Sequence, residues 1–371
     1  MFNVLKNYSS GRRHGRLKTP HGFLETPFFM PDATRGFVKL TSSTELRQTG
    51  TAALVVNTFH LFLQPGLKII EKAGGLHKFM GWSGPLLSDS GGYQVFSLIH
   101  RQKQSGQITD EKVIFRSPLD GSRQELTPEK SIQIQFSLGT DMMVCLDDCP
   151  PNEFSKDELT KAVERTIAWA KRGRQEYERQ VKRRRLVCAK KPLLFAVIQG
   201  GADLALREYC TKELVKIGFD GYGFGARPVD QSGKFLAEVL KRTAAFIPHN
   251  ALRFALGIGT PVDIEHCVQM GWDMFDCVIP TREGRHGKLF LNKSSMAKSV
   301  AARFKTININ NARFSKDFLV LNPRSNILDL KHNSFAYLHH LFRLGEPLGH
   351  KLASLNNLEF YQNWLKDLRK K

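Results

Sequence analysis

Long apolar runs are missing from this chain of 371 residues. No stretch of about 18 consecutive apolar residues occurs, so a helical membrane span is not expected. The opening residues, Met1 to Tyr8, hold no apolar h-region, and no signal peptide is expected from them. Cysteine is sparse and scattered. The six thiols (Cys145, Cys149, Cys188, Cys210, Cys267, Cys277) form no C-x-x-C pair, and they read as free thiols of a reducing, cytoplasmic protein. Tandem repeats and low-complexity segments are also absent.

Acidic residues are few, 35 against 55 Lys and Arg, leaving a net charge of +20. The excess is concentrated. Residues 171–191 carry ten Lys or Arg against two Glu, and residues 282–371 carry 17 against six Asp or Glu. Two such basic surfaces suit a phosphate backbone, which dominates affinity for nucleic acid. The plainer alternative is a solvated helix and a basic tail.

Hydrophobic residues make up 41% of the chain, enough for a large core. Eight short apolar runs, each ending in small or polar residues, read as strands: 26–30, 52–57, 85–88, 141–146, 193–199, 221–224, 254–257 and 274–277. Helical stretches lie between most of them, at 126–138, 156–185, 204–217, 232–247 and 261–270. Start and stop signals frame these stretches, such as Thr127-Pro128 before one and Gly218 after another. Eight alternating units predict an α/β fold, a (β/α)₈ TIM barrel whose active site sits at the C-terminal ends of the strands. The long interval 99–126 predicts a small β insertion. Residues 1–281 are expected to form the barrel, and 282–371 a basic C-terminal subdomain packed on it.

The strand tips carry the chemistry. They offer Asn57 and His60, then Asp89 to Gln94, Asp147 and Asp148, Gln199-Gly200-Gly201, Gly223 to Pro228, and Asp276. Carboxylates, an amide, glycines and the aromatic Tyr93 around one mouth suit a planar, hydrogen-bonding heterocycle. Two carboxylates, Asp276 and Asp89, suit cleavage of a glycosidic bond with retention, one attacking the anomeric carbon and the other moving a proton. Each acid alone has a structural explanation, as a helix cap, an Asx turn or an ion-pair partner. Asp89, Asp147, Gln199 and Asp276 at four separate tips are harder to explain so. A metal-dependent hydrolase would need clustered histidines at the tips, and only His60 stands near one.

Four stretches, Ser88 to Val95, Ile198 to Gly201, Gly218 to Tyr222 and Met274 to Arg282, resemble queuine tRNA-ribosyltransferase, the tRNA-guanine transglycosylase family. The resemblance runs from Thr26 to about Phe360. It implies a barrel enzyme that exchanges the wobble guanine of tRNAs with GUN anticodons for a 7-deazaguanine, queuine or preQ1. By the resemblance, Asp276 is the nucleophile toward the ribose C1′, and Asp89 is the general acid/base. Asp147 and Gln199 read the base edge, Tyr93 stacks, and Gly225 and Ala226 give backbone contacts. Arg282 and Arg285 meet the tRNA. No cofactor and no ATP is implied, and a homodimer is common in the family. The remaining alternatives are a non-catalytic tRNA-binding partner subunit and a relative acting on DNA.

Two departures from the family pattern stand out. The family's zinc ligands, a C-x-C-x-x-C run and a later histidine, align with Ser325, Ile327, Leu330 and Asn356. None of these is a good zinc ligand, so no metal is expected there. The loop after the sixth strand reads Gly225-Ala226-Arg227-Pro228-Val229-Asp230-Gln231 and lacks the family's glutamate. Arg227 disfavours the cationic preQ1 and points to queuine, while Cys149 resembles the bacterial form of the pocket.

Overall fold

The computed structural model describes residues 2–101, 106–293 and 302–370. Eight parallel strands form one sheet: β1 (Phe28–Pro31), β2 (Leu54–Asn57), β3 (Leu86–Asp89), β4 (Met142–Val144), β5 (Leu193–Ile198), β6 (Gly221–Phe224), β7 (Leu252–Ala255) and β8 (Met274–Cys277). Each strand lies beside its sequence neighbour, and β8 returns to pair with β1. A parallel bridge between Asp32 and Val55 joins β1 to β2 and closes the ring. This is the expected (β/α)₈ barrel.

The strands read as continuous apolar runs because both faces are covered, as in β5, where all six residues are buried. The two faces still differ. Phe195 and Val197 point into the barrel with Met30, Val55, Leu87, Val144 and Met274. Ala196 and Ile198, with period-two alternation, face the surrounding helices. Those helices include α1 (Pro128–Leu138), α2 (Lys156–Arg183), α3 (Leu204–Ile217), α4 (Ala237–Phe246) and α5 (Pro261–Gln269). Side-chain caps start several of them. Thr127 accepts from Lys130 N, and Ser155 forms a reciprocal box with Glu158.

The β insertion is a three-stranded antiparallel sheet, Gly106–Ile108, Val113–Arg116 and Arg123–Leu126. It is tied to α2 by Trp169 Nε1 donating to Asp110 O at 2.7 Å. The helix expected from residue 232 begins at Ala237 instead. Residues 229–235 form a tight turn with Val229 bridged to Phe235, Gly233 at φ 84°, and the Asp230 carboxylate accepting from Lys234 N at 2.9 Å. The seventh strand starts two residues earlier than expected and ends at Ala255.

Several elements have no counterpart in the sequence expectations. Strands Phe2–Asn7, Arg13–Thr19 and Gly22–Thr26 form an antiparallel sheet. Its Leu17 and Leu24 join the barrel interior and plug the N-terminal end. After β8 come the short helix α6 (Ile279–Arg285) and the hairpin Lys288–Asn292 with Phe304–Asn308. Then come α7 (Phe335–Leu344), which the sequence does predict as a helix at 335–343, and the 24-residue α8 (Pro347–Lys370), which it does not. Phe360, Tyr361 and Trp364 of α8 share a core with Phe29 of β1 and Phe275 of β8. The polar residues buried on α8 are all engaged. Asn357 accepts from Phe290 N at 2.9 Å and donates to Pro280 O and Lys288 O, and Glu359 accepts from Asn326 N at 2.9 Å.

Of the four positions at which the family resemblance implies zinc ligands, Ser325, Ile327 and Leu330 pack under α8 and Asn356 lies on it. Ile327 and Leu330 are buried with Leu289, Phe314, Leu338 and Leu352. Ser325 Oγ accepts from Ile327 N at 2.9 Å, and Asn356 Nδ2 donates to Phe290 O at 3.1 Å.

Candidate active site

The alternation that fills the barrel also builds its mouth. Met30, Val55, Leu87 and Met274 point inward into the apolar barrel interior. Two residues further along each strand, Asp32, Asn57, Asp89 and Asp276 therefore also point inward, nearer the C-terminal ends of the strands. All four line a cavity of about 370 Å³ at the C-terminal ends of the strands, together with Tyr93, Gln94, Asp147, Cys149, Gly225 and Ala226. Seven of the nine residues expected in the site thus meet at this end of the barrel. Six of them line the cavity. The seventh, Gln199, is fully buried behind Asp147 and donates to it from Nε2 at 2.6 Å. Gln199 Oε1 is buried without a hydrogen-bond partner among the described residues.

The carboxylates are held under electrostatic tension. Asp276 accepts from the Gly257 N–H at 2.9 Å. Burial, and then the charges of Asp89 and Asp32, push its pKa up to about 7. Asp89 Oδ2 accepts from Asn57 Nδ2 at 3.0 Å. Burial raises Asp89 to about 6, against the opposing bonds from Ser90, Gln94 and Asn57. Burial raises Asp147 to about 7, despite the bond from Gln199, with Asp89 and Asp148 adding like charge. Perturbed acids facing one cavity are the mark of a reactive site. Such an arrangement provides an anionic nucleophile, a proton carrier within the same space, and a proton-sharing wall for a heterocycle.

Glycine shapes the base side. A Cβ on Gly225 would stand 2.4 Å from Gln199 Nε2, so only glycine fits there. Ala226 takes φ 80°, a left-handed backbone that turns the loop across the cavity. Tyr93 stands 55% exposed at the rim, its ring free to meet a ligand. Arg227 is exposed, and its carbonyl is held by Asn152 Nδ2 at 3.0 Å.

Arg282 and Arg285, the other two expected residues, lie outside this cavity. They line a neighbouring one of about 410 Å³ with Arg35, Lys39 and Asp32. Arg285 Nη1 has no hydrogen-bond partner among the described residues. Asp32 belongs to both cavities. Sequence reasoning passed over Asp32 by stopping the first strand at Met30 and leaving its tip unread. It missed Arg35 and Lys39 with it. His60 does not line the cavity.

One group among the described residues has metal-ligand types in proximity: His21, His77 and Asp141. It lies at the opposite end of the barrel, where Asp141 precedes β4. Asp141 accepts from Leu86 N at 2.8 Å and from His21 N at 3.0 Å, and the two imidazoles stack with centroids 3.6 Å apart. The carboxylate is thereby occupied in joining the N-terminal sheet to the barrel floor.

Known proteins resemble this chain along nearly its whole length. A family model described as queuine tRNA-ribosyltransferase matches residues 8–371. The queuine tRNA-ribosyltransferase of Methylacidiphilum infernorum is 41% identical over 369 residues, covering 99% of this chain and 94% of its own. That of Desulforudis audaxviator is 40% identical over 370 residues, covering 100% and 93%. That of Halothermothrix orenii is 39% identical over 369 residues, covering 99% and 92%. The chain belongs to the queuine tRNA-ribosyltransferase family.

Proposed function

We propose that this protein is a tRNA-guanine transglycosylase, which replaces the wobble guanine of GUN-anticodon tRNAs with a 7-deazaguanine. The observation that carries the reading is the meeting of Asp276, Asp89 and Asp147 in one cavity, each with a raised pKa. An Asp276 oxygen attacks C1′ of the ribose, and the C1′–N9 bond breaks. The bonding pair leaves with guanine, which takes a proton from Asp89. The ribosyl-aspartate then meets the incoming base. Asp89, now a carboxylate, removes the N9 proton, and N9 displaces Asp276 from C1′. Retention follows from two inversions, and one glycosidic bond replaces another, so no ATP or cofactor enters.

Asp147 and Gln199 read the edge of the base, Gly225 and Ala226 meet it through backbone groups, and Tyr93 stacks on the flipped nucleotide. Arg282 and Arg285 take the phosphates beside it. The chain divides functionally at residue 281, with a catalytic barrel before it and a basic RNA-facing region after it. Cytoplasmic location and a homodimer complete the reading. The incoming base is queuine or preQ1: Arg227 repels a cation at the rim and favours queuine, while Cys149 lines the pocket as in the bacterial form.

The test is displacement of radiolabelled guanine from a GUN-anticodon tRNA, with queuine and preQ1 as competing bases. Displacement identifies the activity, and the stronger competitor identifies the base. Asp276→Asn is expected to abolish exchange while tRNA binding persists. Exchange that survives in Asp276→Asn removes the nucleophile assignment. Binding without exchange in the natural protein turns the reading to a non-catalytic partner subunit.

A further inference from the structure

We infer that Asp32 holds the 2′-hydroxyl of the target nucleotide and makes the enzyme select RNA over DNA; this rests on the transglycosylase reading above. Asp32 stands on the wall between the two cavities. On one side lies the space bounded by Asp147, Gly225 and Ala226, which suits a base. On the other lie Arg35, Lys39, Arg282 and Arg285, which suit phosphates. The sugar of a nucleotide spanning both must pass between them.

The strand register places the acid more closely. Asp276 is the register partner of Met30 on β1, and Asp32 is the next inward-pointing residue above Met30. A sugar whose C1′ is attacked by Asp276 therefore has Asp32 at its side.

The acid's hydrogen bonding leaves one oxygen for a ligand. Oδ1 accepts from Thr34 N at 3.2 Å and from Thr34 Oγ1 at 2.6 Å, which fixes the side chain. Oδ2 accepts no hydrogen bond among the described residues. A carboxylate oxygen can only accept, and it repels phosphate. In an internal nucleotide the 3′ and 5′ oxygens are esterified, so the 2′-hydroxyl is the sugar's sole hydroxyl donor. It is also the group that separates RNA from DNA. Hydrogen bonds to this hydroxyl strengthen as the sugar becomes oxocarbenium-like, so the contact also favours the transition state.

Two anticodon stem-loops test this, one all-ribose and one with a single 2′-deoxyguanosine at the target position. Guanine exchange is measured for wild type, Asp32→Asn and Asp32→Ala, and affinity for free guanine is measured in parallel. Wild type is expected to prefer the ribose substrate in kcat/KM by roughly 10- to 100-fold, the range for a hydrogen bond to a charged group. The ribose-to-deoxyribose ratio of kcat/KM should fall by roughly that factor from its wild-type value in Asp32→Ala and by less in Asp32→Asn, with free-guanine affinity unchanged. Taking the ratio of ratios cancels the intrinsic reactivity of the deoxy sugar. A ribose-to-deoxyribose ratio that is the same in wild type and Asp32→Ala overturns the inference. So does an equal loss on both substrates in the variants, or a loss of free-guanine affinity, since either makes Asp32 a structural acid. Failure of wild type to exchange even the ribose substrate defeats the transglycosylase reading instead.

Discussion

Arg207 Nη2 donates to the Gly225 carbonyl at 2.9 Å, tying the loop after β6 to the first turn of α3. The same guanidinium donates to Gly201 O at 2.6 Å and Ile198 O at 3.2 Å, and it stacks on Phe224. It is fully buried, and no carboxylate among the described residues pairs with it. Burial lowers its pKa to about 10, which still leaves it charged at neutral pH. Three carbonyls from two pocket walls thus converge on one cation, which positions Gln199 and Gly225 together. Arg207→Lys keeps charge but cannot reach all three acceptors. Each buried carbonyl left unpaired costs about 1–3 kcal/mol. Arg207→Lys is expected to lower the melting temperature and to raise KM for the incoming base about tenfold or more, with tRNA affinity little changed. Separate titrations of base and tRNA check this. Unchanged KM for the base would show that Arg207 serves folding alone.

Gly225→Ala is the smallest change that should blind the base pocket. Its Cβ would lie 2.4 Å from Gln199 Nε2 and 2.8 Å from Ile198 O. Gln199 cannot yield without breaking its bond to Asp147, and the strand carbonyl cannot yield at all. Misplacing reacting groups by about 1 Å can cost roughly 100-fold in rate. A kcat/KM loss of that order is expected, with a fold retained by circular dichroism. A variant with full activity would mean that Gln199 does not read the base.

The pH profile should report the acids as a set. Asp276 must be ionised to attack, and its pKa of about 7 sits near that of Asp89, about 6. The two interact, so the pair titrates together. kcat/KM is expected to be bell-shaped, rising as Asp276 ionises and falling as Asp89 loses the proton it donates, with its maximum near pH 6 to 7, above the ordinary carboxylate range. Stability runs the other way. A carboxylate whose pKa is raised by folding contributes stability that is fully present below its unfolded pKa and is lost as pH rises through its folded pKa. Asp276→Asn should therefore melt higher than wild type at pH 8, and the gap should close toward pH 4. A maximum near pH 4 in the rate profile would show that the acids are not desolvated in solution.

The barrel was legible because its parallel strands are buried on both faces. Runs such as Leu193–Ile198 stand out as continuous apolar stretches between capped helices. Asp89 and Asp276 were legible as polar residues ending such runs. Arg207 was not, because an arginine on an amphipathic helix looks like surface until three carbonyls are found around it. Asp32 lay beyond a proline, Pro31, that masked the end of its strand. The N-terminal sheet escaped because its first strand, Phe2–Asn7, is largely exposed and carries little alternation. Helix α8 was hidden for the opposite reason. It buries Asn356, Asn357 and Glu359, so its inner face is too polar to read as a core stripe.

Ile327 and Leu330, two of the four positions at which the family resemblance implies zinc ligands, sit in a packed apolar cluster, and the subdomain's stability should depend on that packing. Leu330 is 0% and Ile327 3% exposed, in contact with the cluster formed by Leu289, Phe314, Leu338 and Leu352. Removing a buried leucine side chain costs about 2–5 kcal/mol through lost burial and the cavity left behind. Leu330→Ala is expected to lower the urea midpoint accordingly, while chelator treatment of the natural protein leaves its melting temperature unchanged. The cluster lies on α8, whose other residues Phe360 and Tyr361 pack on β1 and β8 beside Asp276. Loosening α8 should therefore weaken exchange before it unfolds the barrel. Urea titrations followed by tryptophan fluorescence and by guanine exchange would separate the two events. A chelator-dependent fall in melting temperature would instead show that a bound metal supports the fold.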